Sequence, residues 1–300
     1  MTRLKQEQFF LFPLMAVTLL FLWQAEAVGD GVRAGLGLCY RSIIPSVFPF
    51  SVLSAYMASW APNGRRGLLG RAFEGAFRLP ASGLLPLFIG LFCGFPLGAK
   101  GVADGYRRGL YSREEAERLL CFTNNTGLSF LIAGVGVSMR GEVKDGIALA
   151  VIQLLSALLC GLFVRGDTVP KGKQLPSKDA GHVRFPQAVS SALTGTLNIC
   201  AFVLFFSCIL EITSLFLPTE IQAVLACFLE VGSACSLLAS QKGGLILTAF
   251  AICFSGVSVH MQTAYLLLDT DLSMSRYWAV KVLNGAIAVG LCALYVTVFP

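Results

Sequence analysis

Charge is what this sequence has least of. Only 13% of its 300 residues are charged, against 55% hydrophobic, and the mean hydropathy is +0.72. A soluble domain carries about 25% charged residues. No single aqueous core could hide the apolar surface that remains, so the solvent is lipid. Histidine is rarer still, with two residues in the chain. The ten cysteines stand singly, almost all in apolar runs, and Cys-x-x-Cys is missing. That excludes a zinc site or a disulfide framework and leaves small apolar packing as their reading. Also missing are His-Glu-x-x-His, Gly-x-Ser-x-Gly and the P-loop pattern. The sequence therefore gives no sign of an enzyme or of a cofactor, and ATP-driven transport would need another subunit.

The net charge of +6 does not point to nucleic acid, because the basic residues lie in short loops between apolar runs. That is the positive-inside pattern of a membrane protein. A crossing helix needs about 20 apolar residues. Full spans are expected at roughly 9–27, 43–61, 119–139, 147–164, 197–217, 244–268 and 277–300. The first follows Arg3 and Lys5 and is read as an uncleaved span rather than a removed signal.

Two more apolar stretches are interrupted. Residues 79–99 hold Pro80, Pro86 and Pro96 with Gly83, Gly90, Gly94 and Gly98, and basic residues flank both sides. Proline removes a backbone donor and glycine weakens a helix, so this stretch is expected to enter and leave by one face as a re-entrant hairpin. Residues 221–240 carry Glu230 and a Gly-Ser break and read the same way. With the N-terminus in the cytoplasm, seventeen basic residues fall inside and five, Arg33, Arg41, Arg140, Lys144 and Lys242, fall outside. The expected fold is an all-α polytopic membrane protein of about seven spans and two re-entrant hairpins, arranged as an inverted repeat. Its parts are an N-terminal span and loop (1–33), a first repeat with its following span (34–164), a cytoplasmic linker (165–186) and a second repeat with the C-terminal span (187–300). Ser112-Arg-Glu-Glu115 is a capping box opening a short cytoplasmic helix.

Polar groups inside spans cost free energy unless they find partners. The densest cluster is Thr123-Asn124-Asn125-Thr126-Gly127, which is open to two readings, a solute or ion site and interhelical hydrogen-bond glue. Its counterpart is Ser255-Gly-Val-Ser258-Val-His260-Met-Gln262-Thr263, where His260 is either a titrating group or a histidine satisfied by a neighbouring span. At Gly94-Phe95-Pro96 an unwound hairpin tip would offer backbone amides to an anion. Lys100 beside it would add charge or snorkel to the boundary. Glu230 and Glu211, in apolar surroundings, are candidate proton or cation sites.

The strings Gly94-Phe-Pro-Leu-Gly-Ala-Lys100, Leu110-Tyr-Ser-Arg-Glu-Glu-Ala-Glu-Arg-Leu-Leu120 and Phe122-Thr-Asn-Asn-Thr126 resemble the YlbJ-type sporulation integral membrane proteins. So do Phe228-Leu-Glu230 and Ser255–Thr263, in order, from about residue 34 onward. The resemblance implies the nucleoside-recognition or Gate group, distantly similar to concentrative nucleoside transporters. It also implies a part in endospore formation, with movement of dipicolinate, a small aromatic dianion, as the proposed activity. The solute would then meet Asn124, Asn125, Thr126, Ser255, Ser258, His260 and Gln262 with Gly94 and Lys100. Partners on this reading are the bilayer of a cell or forespore membrane, a small anionic solute and a coupling proton or sodium ion, with a homo-oligomer left open. A nucleoside-type carrier and a non-transporting scaffold or gate for a partner complex are the alternatives.

Overall fold

In the computed structural model, residues 15–58, 67–167 and 184–299 are described. The N-terminal part of the expected 9–27 span, the end of the 43–61 span and most of the 165–186 linker lie outside them. Within them every regular element is helical. Residues 15–23 are helical, and Gln24 then breaks the winding with φ −104° and ψ 41°. Helix α1 (Ala25–Leu38) continues through a π-wound turn (Cys39–Ile43) into α2 (Ile44–Ala58).

The stretch 28–42 falls between the first two expected spans and was expected outside with Arg33 and Arg41, yet it is helical throughout. Arg33 pairs with Asp30 one turn away, so the two charges partly neutralise each other on one exposed face. The opposite face is small. A Cβ on Gly31 would meet the Cys208 backbone and one on Gly35 would meet Leu204, so α1 lies close against the long helix that carries those residues.

Helix α3 (Leu68–Phe77) and the segment Ala81–Phe92, which contains α4 (Leu84–Phe92), form a pair bent by 99°. Arg78 makes the corner with φ 51°. The chain then turns at Cys93–Pro96 into α5 (Leu97–Arg107). A Cβ on Gly90 or Gly98 would run into the Thr123 carbonyl, and one on Gly101 would touch Pro86, so α4 and α5 fold back on each other as a tight hairpin. Proline and glycine here do what their chemistry suggested: they open a helix and let backbones approach.

Ser112 and Glu115 form the expected capping box, and the helix it opens, α6 (Arg113–Thr123), runs further than expected. It stops at 124–127 and resumes into a π-wound helix (Phe130–Met139), so the anticipated continuous span 119–139 is broken in its middle. Then follow α7 (Val143–Phe163), α8 (Phe185–Ser214), α9 (Thr219–Leu229) and α10 (Val231–Leu238). Glu230 alone, in extended conformation, separates α9 from α10. Helix α11 (Gly244–Phe254) breaks at Ser255 into α12 (Gly256–Leu266), and α13 (Ser275–Val298) ends the chain.

Five helical stretches among the described residues are long and apolar enough to cross a membrane: 25–53, 143–163, 185–214, 244–266 and 275–298. Counting the bent pair makes six, against the seven expected. The protein is an integral, multi-pass, all-α membrane protein. One apolar cluster gathers around α9–α11 and a second around α3–α6. On one face the Arg107 guanidinium bonds Asp269 and the Leu266 carbonyl, while the Tyr106 hydroxyl bonds Asp271, tying α5 to the loop before α13. Those hydrogen bonds hold both aspartates below the usual carboxylate range.

The hairpin packing can be checked by substitution. Gly98→Ala should destabilise the protein by roughly 1–3 kcal/mol, because backbone rather than a pliable side chain stands in the way. Gly75→Ala on α3, where no atom lies within 4 Å of an added Cβ, should be neutral or stabilising. Thermal melts in detergent that rank the two variants equally would show that the α4–α5 contact is loose.

Candidate functional site

The interruptions meet each other. Two breaks, at 124–127 and at Ser255, cross, and the polar residues around them satisfy the backbone that the breaks expose. Gln153 on α7 accepts from the Thr126 N–H at 2.9 Å and donates to its carbonyl at 2.8 Å, so its side chain stands in for a missing helical turn. The Thr126 hydroxyl donates to the Ile252 carbonyl at 2.9 Å. Lys281 on α13 is fully buried and donates to the carbonyl of Asn124 at 2.6 Å, to that of Cys253 at 3.3 Å and to the Ser255 hydroxyl at 3.2 Å. Asn284, one turn on, donates to the same Cys253 carbonyl at 3.3 Å. Helix interiors satisfy their own carbonyls; these helix ends borrow donors from α7 and α13.

The crossing absorbs most of the asparagine, serine and histidine groups singled out in the sequence. The Asn124 amide donates to the hydroxyls of Thr263 and Tyr277, at 2.9 and 3.1 Å. The Tyr277 hydroxyl also lies 3.1 Å from His260 Nδ1, within hydrogen-bond distance. The His260 ring is walled by Phe254, Tyr277 and Trp278, with centroids 5.0, 5.2 and 4.1 Å away. Asn125 donates to the Phe122 carbonyl at 2.7 Å, and Ser258 accepts from Gln262 at 3.4 Å.

Beside the crossing lies a cavity of about 40 Å³. About 10–15 Å³ is enough for one water, so the room as it stands takes a few waters or a small ion. The tip of the first hairpin reaches it with Cys93, Gly94 and Phe95, and the first break with Thr126 and Gly127. Gly94 sits at φ 84°, and a Cβ there would strike the Gly127 amide, so two glycines let the tip touch the break. From the second half come Glu230 and Gln262, with Ile199 and Val203 of α8. The Glu230 carboxylate caps α10, accepting from the N–H groups of Gly232 at 3.0 Å and Ser233 at 2.6 Å. With about four lone-pair sites, the carboxylate keeps acceptor capacity beyond its bonds to Gly232 and Ser233. Gln262 is buried, and its Oε1 has no partner among the described residues.

Of the residues selected from sequence, Gly94, Thr126, Glu230 and Gln262 share this cavity. Asn124, Asn125, Ser255, Ser258 and His260 are buried but do not line it. Lys100 pairs with Asp104 at 2.8 Å, half-exposed on α5, and Glu211 is half-buried on α8 away from the cavity. Lys281, Asn284, Gln153 and Tyr277 were not selected. The signal for them was present, since an ionisable or amide side chain inside an apolar run is costly until it finds a partner.

Among the described residues, no group of three or more His, Cys, Asp or Glu side chains could hold a metal ion. The chain is similar to the sporulation integral membrane protein YlbJ of Bacillus subtilis strain 168. The two are 27% identical over 327 aligned positions, which take in 93% of this chain and 79% of the relative. The distant resemblance seen in the motifs thus extends along nearly the whole chain. No family model and no solved structure matches it. The similarity is to an integral membrane protein, in keeping with the apolar spans of this chain.

The Gln153 contact makes a direct prediction. Gln153→Leu strands a buried N–H and a buried carbonyl on Thr126, at about 1–3 kcal/mol each. The variant should melt well below wild type in detergent. Equal melting temperatures would mean that the break is held by other groups.

Proposed function

We propose that this protein is a solute carrier of the sporulating cell, seated in a cell or forespore membrane, with its binding site in the cavity between the first hairpin tip and Glu230. One observation carries the reading: interruptions from both halves converge on a single cavity that also holds an unpaired buried amide oxygen, Gln262 Oε1. Helix interruptions in a bilayer survive where they line a cavity or are buried in protein, and in carriers they build the site. The proposed halves, 34–164 and 187–300, are an inverted pair. In support, α1–α2 and α8 open the two halves and run antiparallel, Gly31 beside Cys208, Gly35 beside Leu204 and Val52 clustered with Ala188. Alternating access would then move one half against the other about the crossing.

The solute follows from the wall. Among the described residues no Lys, Arg or His lines the cavity, and Glu230 is its carboxylate. A bare dianion such as dipicolinate would be repelled there. A dipicolinate-type solute, which the resemblance implies, therefore enters with a proton or a cation on Glu230, and that partner is the coupling ion. The second reading, a nucleoside-type solute, draws on the same wall: acceptors at Glu230 and Gln262 with apolar Ile43, Val47, Phe95 and Phe130 suit an uncharged heterocycle that carries donors.

Uptake into proteoliposomes separates these readings. Saturable dipicolinate uptake is expected, reduced roughly tenfold or more in Gln262→Leu, the equivalent of about 1.4 kcal/mol. Glu230→Gln should remove its dependence on a proton or sodium gradient. Lys100→Gln and Glu211→Gln should transport as wild type. Uptake of nucleosides in place of dipicolinate would select the second reading. Folded protein that moves neither would make the chain a scaffold or gate for a partner complex.

A further inference from the structure

Lys281 is a buried lysine with an unusual set of neighbours. The atoms that its ammonium touches are neutral oxygens: the Asn124 carbonyl at 2.6 Å, the Ser255 hydroxyl at 3.2 Å and the Cys253 carbonyl at 3.3 Å. No carboxylate is among them. Asn124 and Cys253 lie at the C-terminal ends of α6 and α11, where the helix dipole leaves partial negative charge. Asn124 and Asn284, which touch the same cluster, each hold a further buried Oδ1 with no partner among the described residues. Ser255 occupies φ 79°, a conformation that glycine takes without strain and serine seldom takes. A glycine there would supply no third oxygen.

Carbonyls of unwound chain and half-helix C-termini, gathered around one positive centre, are the ligands that discontinuous helices present to sodium in transporters. We propose that Lys281 is a tethered cation filling a sodium-type site at the helix crossing, so that the crossing takes no ion from solution. The ammonium supplies the charge, and its stem holds that charge on α13. This assignment stands on the crossing alone. Only one corollary rests on the carrier reading, namely that a travelling cation is confined to Glu230 in the cavity.

The test is removal of the tether followed by addition of a free ion. Melting temperatures are read in detergent without solute, in a Glu230→Gln background, so that a cation in the cavity cannot contribute and transport is not involved. Lys281→Ala should lower the melting temperature by roughly 5–15 °C. Sodium or n-propylammonium, which fits the space of the lost side chain, should restore most of that loss, whereas tetramethylammonium should not. The parent carrying Lys281 should respond to none of the three. Lys281→Met, which keeps the packing of the stem, runs in parallel and substitutes if Lys281→Ala is not recovered folded. A merely structural lysine would leave variants whose melting is the same in every cation, and that result overturns the proposal. So does failure to recover either variant in any of the salts, since a site that wants only a cation should accept a free one.

Discussion

Every helix end inside a bilayer leaves carbonyl oxygens that lipid cannot satisfy, and this protein has many such ends because its helices are short and broken. In water the surplus would cost little. In hydrocarbon each unpaired group costs several kcal/mol. The chain answers with cations placed on helix C-termini. Buried Arg118 donates to the Val164 carbonyl at the end of α7 and to the Phe77 and Arg78 carbonyls at the end of α3. Arg140 reaches the Ala239 carbonyl after α10 while paired with Asp145 at 2.7 Å. Arg107 takes the Leu266 carbonyl at the end of α12. Lys281 does the same for α6 and α11 together. In each case the cation meets both the freed acceptors and the negative end of the helix dipole.

The opposite ends are treated in the opposite way, and that difference shapes the cavity. Helix N-termini offer N–H groups and partial positive charge, which Glu230 meets at α10 and Ser112 with Glu115 meets at α6. Lys281 therefore sits on the carbonyl side of the crossing, away from the cavity, while Glu230 faces into it. The cavity wall is left with a carboxylate, an unpaired amide oxygen and apolar side chains. On the carrier reading proposed above, a solute that enters would bring positive charge or hydrogen-bond donors to that wall, whatever its own net charge.

Much of this was legible in the residues. Proline and glycine around 79–99 announce the first hairpin, since both weaken a helix wherever they occur, and its turn falls at Gly94-Phe95-Pro96. Glu230 in an apolar run announces the second interruption. Two things were hidden. The outside loop expected between the spans 9–27 and 43–61 rested on where the apolar runs stop, but an intrahelical pair and a glycine face turned to α8 keep that segment helical, and neither the pairing nor the partner can be read from composition. The role of the Thr123–Gly127 cluster was also undecidable from one strand of sequence. The motif reads as a polar patch within a span, and only the distant Gln153, Ile252 and Lys281 show it to be an unwound break. Separations of 27, 126 and 157 residues bring those partners together, and local pattern carries no information about them.

The contacts between the halves differ sharply in kind, and the difference bears on how the cavity could open. At the crossing they are buried hydrogen bonds to backbone, each of which leaves an uncompensated group if broken. On the face where α5 and α6 meet the loop before α13 they are Arg107 with Asp269, Tyr106 with Asp271, Arg113 with Asp271 at 3.7 Å, and the Ser273 N–H on Glu117 at 2.8 Å. Asp269 and Asp271 keep about two-thirds of their side-chain surface in contact with solvent, 69% and 64%. Exposed pairs of this sort contribute about 0–1 kcal/mol, because water replaces the partner when they part. On the carrier reading proposed above, a movement that admits solute would break the exposed pairs and keep the crossing, with the crossing as pivot and the charged face as clasp. The proposed tether at Lys281 fits that division, since a fixed point would need its charge in every conformation, whereas a carboxylate that exchanged its partner would belong in the space that opens.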